Sequence, residues 1–129
     1  MTTEYVPQTT IDTMARIAAG VDPWIAFRAF LEDWTYLPAS RLAIAVGRPP
    51  FTTEDELRWA ALLAGAIEAL CARDGLPVPA WTRDAVFRLD EAWYLYEGTG
   101  RIRDWLRETT PREFSSRNIW SGDRLLRRT

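Results

Sequence analysis

Residues 52–72, TTEDELRWAALLAGAIEALCA, contain no proline and are dense in strong helix formers, so any fold of this chain has to be arranged around one long helix. Thr53 reads as its N-cap, with Glu56 three residues on to complete a capping box. Glu54, Asp55 and Glu56 occupy the first turn, where the helix dipole favours negative charge. Leu57, Ala60, Ala61, Ala64, Ile67 and Cys71 recur at helical spacing, and Leu62, Leu63, Ala66 and Leu70 widen the apolar surface to a second side. Such a helix must be covered broadly by its neighbours. Asp74-Gly75 ends it, with glycine free to take a left-handed cap, and Pro77 and Pro79 prevent a restart.

The remaining segments supply that cover. Residues 1–8 lack periodicity and read as a loose lead-in; Thr10 then caps a short helix through Ala19, with Ile11, Met14, Ile17 and Ala18 on one face. Asp22-Pro23 starts a second helix whose inward stripe is Trp24, Phe27, Leu31 and Trp34, with Phe30 nearby. Leu37-Pro38 breaks it, a short helix follows over 38–46, and Pro49-Pro50 turns the chain into the central helix, where Trp59 also faces inward. After Gly75, alternate prolines hold residues 76–81 extended as a strap that Trp81 pins to the core, and Thr82 caps a brief helix carrying Ala85, Val86 and Leu89. Residues 90–96 are rich in aromatics, which favours a strand, but with no convincing strand to pair with they are expected as loop or irregular helix. Next comes a helix from residue 101 with Ile102, Trp105 and Leu106 inward. Thr110-Pro111-Arg112-Glu113 has the cap, proline and glutamate of another helix start. Phe114 and Arg117 follow, Asn118 takes a left-handed turn, Ile119 and Trp120 return to the body, and Ser121 caps a last helix through Arg128. The expectation is all-α: a single domain over residues 1–129, a bundle of five to seven helices with a proline-rich strap after the central one.

Composition excludes several chemistries. The chain has no histidine and one cysteine, so it offers no Ser/His/Asp or Cys/His catalytic set, no imidazole metal ligand and no internal disulfide. Gly98-Thr99-Gly100 lacks the lysine and spacing of a phosphate-binding loop. The adjacent acids Glu32-Asp33 and Asp55-Glu56 diverge by about 100° on a helix and read as solvated faces or caps, leaving Asp90-Glu91 as the one pair worth testing as an acid/base dyad. Cys71 reads as a small buried apolar residue. The chain is expected to be a non-enzymatic protein without cofactor or bound metal. It is also expected to lack a signal peptide and a membrane-crossing run, with the cytosol as its compartment.

Charge is divided unevenly. All 16 positive residues are arginine, as a high-GC genome would favour; residues 1–97 carry eight of them against 14 acids, and residues 98–129 carry the other eight against four. A basic C-terminal segment thus follows an acidic body. Three readings stay open: the tail neutralises its own body, it contacts a protein partner, or it contacts nucleic acid, the last disfavoured by a net charge of −2. As a contact surface it would use Arg101, Arg103, Trp105, Arg107, Arg112, Arg117, Asn118, Trp120 and Arg124, since arginine and tryptophan are common interface anchors.

The latter half resembles a known family. Gly75-Leu76-Pro77-Val78-Pro79-Ala80-Trp81, Leu89-Asp90-Glu91-Ala92-Trp93 and above all Thr110-Pro111-Arg112-Glu113-Phe114-Ser115-Ser116-Arg117-Asn118-Ile119-Trp120 are similar to segments of small helical actinobacterial proteins encoded beside nucleotidyltransferase-like proteins. Members are regarded as antitoxin-type partners of those neighbours. The resemblance covers roughly residues 54–129 and rests on Pro111, Phe114, Arg117, Asn118, Ile119 and Trp120; Ser115-Ser116 stand where arginines are usual, and Ala92 where proline is usual. It implies a protein that neutralises a nucleotidyltransferase-type toxin by direct contact.

Overall fold

Thr53 closes the first turn of the central helix by accepting the Glu56 amide hydrogen at 3.1 Å, while its own hydroxyl donates to the Glu56 carboxylate at 3.0 Å. In the computed structural model, which describes residues 4–127, six helices form in chain order: α1 (Thr10–Ala18), α2 (Pro23–Tyr36), α3 (Arg41–Ala45), α4 (Glu54–Asp74), α5 (Arg101–Thr109) and α6 (Arg112–Ser115). The all-α expectation holds, with α4 at the centre. Gly75, at φ 70°, returns its amide to the Cys71 carbonyl and ends α4 in the left-handed cap that a Cβ would disfavour. Every residue from Ala60 to Ile67 is buried, so α4 is enclosed all round for two turns. Its small residues let neighbours approach: a Cβ added at Gly65 would stand 2.8 Å from Cδ1 of Phe114 and 3.1 Å from the Glu113 carbonyl.

The N-terminal half covers one side of α4. Asp22 accepts the Trp24 amide at 2.8 Å, Pro23 opens α2, and Phe27, Phe30, Leu31 and Trp34 are buried as their spacing requires. Trp24 and Trp59 are only partly buried and meet edge to face at 4.9 Å. The cap of α1 is Thr9 rather than Thr10, through a reciprocal box with Asp12; the Thr10 hydroxyl turns inward and donates to the Gly47 carbonyl. Ile11, expected inward, is 47% exposed. At the far end of α4, the Trp34 indole donates to Asp74 at 2.8 Å and Arg41 reaches the same carboxylate at 3.5 Å. A hydrogen bond from Arg73 chiefly, then these groups, hold Asp74 below the usual carboxylate range against the opposing effect of burial.

Several expectations are corrected. Residues 1–3 of the lead-in lie outside the described residues, but the rest is tied down. Gln8 donates its backbone amide to Asp33 at 2.7 Å and its side-chain amide to the Ala26 carbonyl at 2.8 Å, and Tyr5 donates its hydroxyl to Asp33. A buried carboxylate on α2 needs donors, and the lead-in provides them; that same bond to Asp33 is the main reason the Tyr5 phenol is raised above its usual range. Trp81 pins the strap as read, its indole donating to the Ala45 carbonyl at 3.0 Å, but the extended run stops at Pro79 and Trp81 itself lies in a 3₁₀ turn. Beyond it, two short 3₁₀ turns, Ala80–Arg83 and Ala85–Phe87, replace the expected helix because Asp84 between them is extended. Phe87 therefore fills the core in place of Val86.

The tail departs furthest. Thr110 does not cap α6; its hydroxyl donates to the Leu106 carbonyl and accepts the Gly122 amide hydrogen at 2.9 Å, leaving α6 without a side-chain cap. Ser121 starts no helix: its hydroxyl donates to Gly122, whose positive φ carries the backbone out of the helical region, and turns follow as far as residue 127. Arg128, the expected end of that helix, lies outside the described residues. Residues 90–96 do contain a strand, β1 (Trp93–Tyr94), paired in parallel with β2 (Ile119–Trp120). Among the described residues no helix is long and apolar enough to cross a membrane.

Candidate partner-binding surface

Asn118 makes the pairing possible. At φ 64° it turns the chain sharply after α6, and its side-chain amide donates to the Leu89 carbonyl at 3.1 Å, which fixes the register Trp93↔Ile119 and Tyr94↔Trp120. Ile119 is fully buried and Trp93 meets Trp59 edge to face at 5.1 Å. Tyr94 and Trp120 are half-buried and stacked, with ring centres 6.2 Å apart and planes at 21°. The Trp120 indole is held by a 3.1 Å hydrogen bond to the side-chain oxygen Oδ1 of Asn118.

Helix α5 lays its arginines over this pair. Arg103 places its guanidinium 4.2 Å from the Tyr94 ring centre; Arg107, one turn on, lies 5.6 Å from Tyr94 and 5.1 Å from Trp120 and donates to the Tyr94 hydroxyl. Residues four apart share a helix face, so both cations meet one aromatic platform. A second set stands beside it: the Trp105 ring lies against Gly122, where an added Cβ would stand 2.5 Å from it, with Tyr96 edge-on at 6.2 Å and Arg124 at 5.7 Å. From Arg124 a groove of about 280 Å³ runs between Leu31, Leu95 and Leu125 and adjoins a hollow of about 490 Å³ flanked by Arg28 and Arg127. Tyr94, Tyr96 and Arg28 are not among the expected contact residues. The two-residue spacing of the tyrosines, which puts both on one side of an extended segment, was the available signal.

The expected surface residues separate into groups. Arg103, Arg107 and Trp120 form the platform, Trp105 and Arg124 the second set, and Arg101 is exposed on the first turn of α5. Arg112 borders a different cavity, with Arg83 and Arg88. Arg117 is no surface residue: it is 4% exposed and donates to the Glu113 and Thr82 carbonyls and to the Glu68 carboxylate at 3.0 Å. Asn118 likewise serves the turn. Ile102, expected inward, is 45% exposed and leaves Leu106 to anchor α5.

Charge bears on the reading that the tail neutralises its own body. Among the described residues, the one ion pair made by a tail arginine is Arg117 with Glu68; Arg101, Arg103, Arg107, Arg112 and Arg124 have no carboxylate within bridging distance. The basic face is left open. Asp90 and Glu91 are both exposed. Cys71 is fully buried, and burial chiefly, with the charge of Asp74, pushes its thiol up to about 11. Among the described residues no three or more His, Cys, Asp or Glu side chains come together as a metal-binding group. No protein family, curated protein or solved structure matches the chain.

Proposed function

We propose that this protein acts in the cytosol, without catalysis, by binding a protein partner through the face built from Arg103, Arg107, Tyr94 and Trp120. The supporting observation is that two guanidiniums are held over a stacked aromatic pair with no carboxylate to neutralise them among the described residues. Guanidiniums fixed in advance lose less rotamer freedom on binding, and arginine, tyrosine and tryptophan dominate interface hot spots. The partner then presents acidic groups ringed by apolar surface. A nucleotidyltransferase-type toxin, neutralised by contact, is the partner that the tail's resemblance implies. Nucleic acid fits less well: stacking a base needs an open ring face, yet Tyr94 is stacked on Trp120 and has Arg103 over it, and the chain is net negative.

The test is the double variant Arg103→Glu/Arg107→Glu, purified and mixed with the protein encoded beside the native gene. Stability should fall by no more than about 1 kcal/mol per lost cation–π contact, while the dissociation constant rises by about a hundredfold or more. Unchanged binding by the double variant would sink this reading. Nucleic acid binding that weakens steeply with salt, with no protein bound, would replace it.

A further inference from the structure

We propose a separate oxyanion site, suited to a phosphate monoester, in the cavity of about 280 Å³ between the 3₁₀ turns after the strap and α6. It is distinct from the aromatic platform and does not rest on the partner reading. Arg83, Arg88 and Arg112 are exposed guanidiniums from three different positions in the chain that border this one cavity, with the exposed Ser116 beside them. Two acids also line it, and both are already engaged: Glu68 pairs with the buried Arg117 at 3.0 Å, and Asp84 pairs with Arg48 at 3.0 Å. Among the described residues no carboxylate lies within bridging distance of Arg83, Arg88 or Arg112, so the cavity carries three uncompensated positive charges.

Like charges converging on one hollow repel, and an anion placed among them is stabilised by all three at once. Guanidiniums match the geometry of phosphate oxygens, pairing two N–H donors with two oxygens, and the Ser116 hydroxyl adds a neutral donor. The floor is rigid. Arg117, anchored to the Thr82 and Glu113 carbonyls as well as to Glu68, ties the 3₁₀ turn that carries Arg83 to the helix α6 that carries Arg112. A dianion satisfies three guanidiniums better than a monoanion does, which selects a phosphate ester over a carboxylate or chloride.

Titration calorimetry of the full chain with inorganic phosphate and with methyl phosphate, at ionic strength held constant with sodium chloride, tests the site. The expected result is one saturable site, weakened about a hundredfold in Arg88→Gln/Arg112→Gln and unchanged in Arg103→Gln/Arg107→Gln, since each charge-assisted contact is worth about a factor of ten. Tighter binding of methyl phosphate marks an ester as the natural ligand, and tighter binding of inorganic phosphate marks the free ion. Circular dichroism verifies the fold of each variant. Should the double variant fail to fold, Arg83→Gln alone is expected to weaken binding about tenfold. No saturable heat, or equal affinity in the parent and in folded cavity variants, overturns the proposal.

Discussion

Removing the Arg117 guanidinium would strand three partners at once: the Glu68 carboxylate and the carbonyls of Thr82 and Glu113. Breaking a buried pair from one side leaves an uncompensated charge and costs about 3–5 kcal/mol, a large part of the roughly 5–15 kcal/mol that holds a small domain folded. Arg117→Met is therefore expected to lower the urea midpoint severely. Arg112→Gln, five residues earlier and exposed, should change stability by no more than about 0.5 kcal/mol. Equal midpoints for the two variants would show that the ion pair contributes nothing. In the sequence both are arginines of a basic tail, and composition cannot separate them. Position could have done so: Phe114 is inward, and a residue three further on falls on the same side of a helical turn. The inward stripe was thus legible at Phe114 and overlooked at Arg117, because a charged residue is ordinarily assigned to the surface.

At the scale of elements, structure follows sequence where a cap and an apolar period agree. Asp22-Pro23, Thr53 and Gly75 bound α2 and α4 as their chemistry requires. The two part where the decisive partner is distant in sequence. Thr110 had the right neighbours for an N-cap, but its hydroxyl is taken by Leu106 and Gly122. β1 was unrecognisable because its partner is a pair of residues on the far side of α5 and α6, too short to carry a period. The contact of α6 with α4 gives a test at this scale. Gly65→Ala puts a methyl group into Phe114 and the Glu113 carbonyl, and since one contact is backbone, side-chain rotation alone cannot relieve it. The expected loss is about 1–3 kcal/mol in thermal melts, with α6 displaced. In the background of Phe114→Leu the same change should cost less. A melting temperature for Gly65→Ala at or above the parent's would mean that α6 is not packed as described.

Across the whole molecule, the uneven charge and the all-α architecture were both legible, and the surface was half legible. The arginines were visible; the tyrosines that organise them were not, since their role depends on the β1–β2 pairing. That pairing has a consequence for timing. It is only two residues long on each strand, flanked by bonds from the Trp93 amide to the Asn118 carbonyl at 2.9 Å and from the Leu95 amide to the Trp120 carbonyl at 3.1 Å. A ladder this short opens at a lower free energy than an enclosed helix, so amide hydrogens of Trp93 and Leu95 should exchange with solvent faster than those of Leu63 and Ile67 in α4. A bound partner should slow the first pair and leave the second alone; equal rates in all four would mean the ladder opens only with the whole domain. Each opening also parts Tyr94 from Trp120 and releases Arg103 and Arg107 from their platform. On the proposed partner-binding role the ladder would act as a latch, the fraction of time it stays shut setting the concentration of binding-competent protein.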